Sequence, residues 1–116
     1  MGHKAAACLV IDRARFVVYV DHRPVAPTRV EFDILDFLAR NSHRVVPYAE
    51  LLQDVIHSTS RVDTSLIRVH VCNLRRKLGP AAALLRTVPG RGLILERGSE
   101  TERGRRAAIN AELATT

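Results

Sequence analysis

Arg68, Val69, Cys72, Asn73 and Arg76 are spaced so that a helix would set all five on one open face. An asparagine amide pairs a donor with an acceptor and matches an adenine edge. An arginine guanidinium is a two-pronged donor that matches a guanine edge, so Asn73 with Arg68 or Arg76 can read bases, and Val69 and Cys72 lie among them. Thr64, Ser65, Arg75 and Lys77 supply the hydroxyls and charges that phosphates take. Between Arg61 and Leu78 the positive groups are Arg61, Arg68, Arg75, Arg76 and Lys77 against Asp63 alone, so the segment holds a net +4 of the chain's +6. A second candidate is Arg91 within Pro89-Gly90-Arg91-Gly92. The glycines permit a tight positive-φ turn that would project Arg91 toward a minor groove, whose negative potential attracts arginine.

Other chemistries find little footing. The five histidines (His3, His22, His43, His57, His70) lack metal-ligand spacing, and Cys8 and Cys72 form neither a Cys-x-x-Cys pair nor a disulfide framework. No metal and no cofactor are expected. Catalytic triads, phosphate-cradling glycine loops and paired carboxylates are missing from the sequence, so an enzyme is not expected. With only five aromatic residues there are few platforms for stacking single-stranded RNA. No apolar stretch is long enough to span a bilayer, which leads us to expect a soluble cytoplasmic protein, nucleoid-associated when bound to DNA. The alternative to DNA is a protein-interaction module whose basic helix meets an acidic partner.

The elements that must position these residues can be read in order. At 116 residues the chain suits one modest core. Leu9 to Ile11, Phe16 to Val20 and a short piece at Val25 read as an antiparallel meander, with turns at Asp12–Arg15 and Asp21–Pro24. Thr28-Arg29-Val30-Glu31 is a capping box, and Val30, Ile34, Leu35, Phe37 and Leu38 give the first helix an apolar face to about Arg40. Pro47 suits the first turn of a second helix, buried through Leu51, Leu52, Val55 and Ile56. A third helix, about 63–78, starts at Asp63 or Thr64 and stops at Gly79-Pro80, with Ile67, His70, Val71, Leu74 and Leu78 facing the core. Arg86 to Val88 and Leu93 to Leu95 read as a hairpin around the glycine turn, a wing of about 86–96. The expected organisation is an extension over 1–7, one domain over 8–96 and a polar, basic, mobile tail over 97–116.

Several of these motifs recur together and in order: Thr28-x2-Glu31-Phe32-x-Ile34-Leu35, Arg44-Val45-Val46, Glu50-Leu51-Leu52, Val69-His70-Val71-x2-Leu74-Arg75-Arg76-Lys77-Leu78 and Thr87-Val88-x-Gly90-x-Gly92. In this the chain resembles the OmpR/PhoB-type winged helix-turn-helix effector domains, over roughly residues 8 to 96. The resemblance implies an α+β fold: an N-terminal antiparallel sheet, a three-helix core and a C-terminal β-hairpin wing. The third helix would lie in the major groove of double-stranded DNA and the wing at the minor groove, in the service of transcription regulation. It further implies that the loop His57, Ser58, Thr59, Ser60 and Arg61 faces RNA polymerase and that a homodimer forms on DNA. The chain departs from the family at Ile56, where a tryptophan is usual, at Arg68, where an acidic residue is, and at Leu93, where an aromatic is. Asn73 and Cys72 also replace common residues, so the base-reading surface is this protein's own. Family members commonly carry an N-terminal receiver domain. The 26 residues before Pro27 cannot hold one, and phosphorelay control within this chain is not expected.

Overall fold

A computed structural model of the chain describes residues 7–57 and 63–96. The expected tail, the expected extension except Ala7, and the expected polymerase-facing loop except His57 lie outside the described residues. The meander forms β1 (Leu9–Asp12), β2 (Val17–Val20) and β3 (Arg23–Val25) in the order β1-β2-β3. Leu9 pairs with Val20 and Ile11 with Val18, so alternation turns these four side chains onto the core. Asp21 and His22 both take positive φ between β2 and β3, the backbone that a two-residue hairpin turn demands. Pro24 is tolerated because β3 is an edge strand.

Phe16 departs from its expected strand position. It sits in the β1–β2 turn with φ 56° and is 46% exposed. There its ring meets Phe32 edge-on at 5.3 Å between centroids, beneath the Arg29 guanidinium at 4.5 Å. The aromatic contact and the cation stabilise a conformation that strand propensity alone would not select.

Helix α1 (Arg29–Arg40) starts where the capping box places it. Thr28 Oγ1 accepts from the Glu31 N–H at 3.2 Å, and Glu31 Oε1 accepts from the Thr28 N–H at 2.9 Å. Ile34, Leu35 and Leu38 are fully buried, while Val30 and Phe37 pack at the margin. Pro47 stands as the cap immediately before α2 (Tyr48–Leu51), which widens into a π-helical turn over Leu52–Ile56. His57 ends it in the left-handed region at φ 62°, its N–H donating to the Leu52 carbonyl.

Helix α3 (Asp63–Leu78) buries Ile67, Val71, Leu74 and Leu78. His70, expected among them, lies on the flank of that stripe and is only half-buried. Gly79, at φ 55°, breaks the α-helix, and a 3-10 segment (Gly79–Leu84) leads to β4 (Leu85–Val88) and β5 (Gly92–Leu95). Every major element contributes to the core: Leu9, Leu35, Leu51, Leu74, Leu85 and Leu95 belong to one buried cluster.

The hairpin is anchored along β5. Val46 exchanges both backbone hydrogen bonds with Leu93, at 2.7 and 2.9 Å, and His43 N–H donates to the Leu95 carbonyl. The extended Val45-Val46 stretch is thus a third partner for the wing. Gly92, at φ 144°, makes this approach possible, since a Cβ there would lie 2.0 Å from the Val46 oxygen.

Candidate nucleic-acid interface

The four apolar positions of α3 that face the core leave the opposite arc to solvent. Ser65, Arg68, Val69, Cys72 and Arg76 are exposed on it, with Asn73 half-buried at its edge. Five residues expected to read bases are therefore on one outward face, as their spacing required. Thr64 is half-buried and Ser65 exposed in the first turn. Arg76 Nη2 approaches the Cys72 sulfur at 3.9 Å, a weak contact that leaves the guanidinium with donors to spare.

Arg68 is held from below. Its guanidinium lies over the Tyr48 ring, 5.6 Å from the centroid, so the start of α2 orients a side chain on α3. Tyr48 also lines a cleft of about 450 Å³ between α3 and the wing, together with Arg68, Arg75, Thr87, Pro89 and Gly90. The cleft is open and bordered by two arginines.

The wing tip is a tight turn in which the Arg91 N–H donates to the Val88 carbonyl at 2.9 Å. Pro89 followed by Gly90 at φ 74° is the residue pattern of a type II turn. Arg91, the last residue of that turn, is exposed. Arg86 instead pairs with Glu96 across the hairpin at 3.2 Å.

Two cations expected to meet phosphates also have partners inside the fold. Arg75 Nε donates to the Leu85 carbonyl at 3.0 Å and Nη2 to Thr87 Oγ1 at 2.8 Å, so Arg75 bridges α3 to β4. Lys77 Nζ donates to Glu31 Oε1 at 2.7 Å. Glu31 is 2% exposed and already bound to the cap of α1. Burial opposes its ionisation, but the hydrogen bonds from Lys77 and from Thr28, with the Lys77 charge, outweigh it and hold the carboxyl below its ordinary range. The physical reason for both contacts is the same: each side chain leaves α3 on a flank that meets another element, Arg75 on the wing side and Lys77 on the α1 side.

Sequence reasoning passed over Tyr48, Thr87 and Glu31 as supports of the face, since none is close in sequence to the residue it holds. It also passed over Leu66, which is 49% exposed on α3 beside Val69 at 54%. Among the described residues no group of acidic, histidine and cysteine side chains could hold a metal ion.

A basic helix packed third in a three-helix core, flanked by a hairpin that presents an arginine from a glycine turn, defines a winged-helix domain. Residues 22–95 match the family model described as "Transcriptional regulatory protein, C terminal". The chain belongs to this family, the OmpR/PhoB-type DNA-binding domains of transcription regulators. The response regulator ArlR of Staphylococcus saprophyticus is 32% identical over 89 residues, covering 75% of this chain and 40% of that protein. The chain thus spans about two fifths of the length of the curated relatives it matches. Among solved structures, the DNA-binding domain of CpxR from E. coli superposes with a TM-score of 0.70 at 27% identity, covering 83% of this chain and 97% of that one. The DNA-binding domain of AdeR, solved in complex with an intercistronic region, superposes with a TM-score of 0.68 at 26% identity, covering 82% of this chain and all of that one.

Proposed function

We propose that this chain binds double-stranded DNA at a specific sequence and thereby regulates transcription, with α3 in the major groove and the wing at the adjacent minor groove. The observation that carries this reading is the single outward arc of α3, on which Arg68, Val69, Cys72 and Arg76 are exposed while the opposite stripe is buried. Arg68, Arg76 and Asn73 are the hydrogen-bonding readers, and Val69 and Cys72 complete the surface against the bases. Thr64 and Ser65 meet phosphates at the helix start. Arg75 keeps one guanidinium nitrogen outside its two internal bonds for a phosphate, and Lys77 adds charge from the rim. Arg91 enters the minor groove. AdeR's domain, held on DNA and alike in fold, supports the same use of this surface.

The functional unit is the domain over 8–96, with 1–7 and 97–116 as extension and tail. It acts in the cytoplasm, on the nucleoid when bound, and carries no catalytic step. We further propose that it binds as a homodimer and that the His57–Arg61 loop meets RNA polymerase. Replacing that loop by glycine and serine should abolish activated transcription by purified holoenzyme, and unchanged transcription would refute the polymerase contact.

Selection of bound sequences from a random duplex pool tests the main reading. Fluorescence anisotropy on the winning duplex should show that Asn73→Ala and Arg76→Ala relax the preference at individual base pairs, each by about 1 to 3 kcal/mol. Arg91→Ala should weaken binding where the minor groove flanks the site. An unenriched pool, with weak binding indifferent to all three substitutions, would favour an acidic protein partner instead.

A further inference from the structure

The outward face of α3 is not uniformly polar. Leu66 and Val69 are 49% and 54% exposed, and with Phe16 they are the large apolar side chains left open among the described residues. Three residues apart, they are neighbours on the helix surface, and Asn73 continues the same row one turn beyond Val69. Their exposure has no internal explanation. The core stripe of α3 is complete without them, through Ile67, Val71, Leu74 and Leu78.

From the arrangement we infer that Leu66 and Val69 form an apolar reading element for the C5-methyl groups of thymines in the major groove. The row sits on the helix that carries Arg68, Arg75 and Arg76, so charge brings it against the duplex. On a base edge in that groove the thymine methyl is the apolar group, and it is the feature such side chains can prefer. Asn73, beside the row, can take an adenine edge, so adenine and thymine would be read from one strip. The assignment rests on the proposal that this face enters the major groove, and it adds Leu66 to the residues that set sequence preference.

Replacing each thymine of the selected site by deoxyuridine, one at a time, deletes a methyl and leaves every hydrogen-bonding group in place. Wild-type protein should lose about fourfold in affinity at one or two positions, the worth of one buried methyl-sized group. In Leu66→Ala or Val69→Ala that loss should disappear at the position the missing side chain met, while the remaining preferences persist. Both residues are exposed, so the variants should keep the wild-type thermal transition. Equal affinity of the wild type for thymine and deoxyuridine duplexes, with the selected preference intact, would overturn this inference and leave sequence-specific binding standing. A loss in Leu66→Ala of the same size on both duplexes would also overturn it, because the side chain would then contribute to binding without reading the methyl. No selected site at all would remove the major-groove reading and this inference together.

Discussion

Lys77 Nζ lies 2.7 Å from Glu31 Oε1, across 46 residues of sequence, and this one oxygen also accepts from the backbone N–H of Thr28, the cap residue of α1. The last turn of the basic helix is thereby fastened to the first turn of α1 through a buried carboxylate. Lys77→Met should leave that carboxylate with the Thr28 bonds alone and destabilise the fold by about 1 to 3 kcal/mol, toward the lower figure because the lysine head is at the rim. Lys77→Met combined with Glu31→Gln should recover part of the loss, since no charge is then buried without its partner. Urea midpoints of the four proteins measure this. A double variant as costly as the sum of the two single ones would mean that the residues do not act together.

The same pair predicts a response to acid. The Glu31 carboxyl is held below its ordinary value in the folded chain, so its ionised form stabilises folding at every pH above the unfolded value. That contribution should fade as pH falls through the unfolded value toward the folded one. Wild type should therefore exceed Glu31→Gln in stability at neutral pH by a margin that shrinks on acidification below the ordinary glutamate range. Thermal midpoints at several pH values test the sign, and a margin that grows in acid would contradict it.

Gly92 and Gly90 separate two uses of glycine in one turn. A Cβ at Gly92 would meet the Val46 oxygen at 2.0 Å with φ at 144°, whereas Gly90, at φ 74°, opens onto empty space. Gly92→Ala should cost about 3 kcal/mol or more, through the combined strain and clash of backbone atoms that cannot yield. Gly90→Ala should cost about 1 to 2 kcal/mol, the left-handed penalty alone. Denaturant titration distinguishes them, and comparable losses would deny the wing its close contact with Val46.

These contrasts mark what sequence can and cannot convey. The cap at Thr28, the stop at Gly79-Pro80 and the hairpin around Gly90 were legible because each is a local signal, carried by a few adjacent residues with fixed backbone demands. The face formed by Arg68, Val69, Cys72 and Arg76 was legible because periodicity orients every side chain of a helix once its buried stripe is known. Phe16 was misplaced because its ring packs on Phe32 from a turn, a tertiary gain that overrides strand propensity. The widening of α2 over Leu52–Ile56 has no residue signal of its own. The internal bonds of Lys77 and Arg75 carry no local signal, because their partners, Glu31 and the Leu85–Thr87 edge, lie 46 and at least 10 residues away. Leu66 was overlooked because an exposed leucine is ordinary until its neighbours show which surface it joins.

Arg75 holds the wing through a planar fork, one arm on the Leu85 carbonyl and the other on Thr87 Oγ1, so its contribution to DNA binding should act chiefly through position. Arg75→Lys keeps the charge and loses the fork. If position dominates, amide hydrogens across β4 and β5 should exchange faster by about tenfold, the worth of roughly one such hydrogen bond. Affinity should fall with them, while the dependence of log affinity on log salt concentration stays unchanged, because the number of phosphates neutralised is the same. A residue serving only as a phosphate contact would behave in the opposite way. Lysine would then preserve affinity and wing protection, and Arg75→Met would lower the salt slope by about 0.9, one phosphate's share. Measuring exchange and salt dependence on both variants therefore decides whether α3 and the wing reach DNA as one fastened unit or as two independent surfaces.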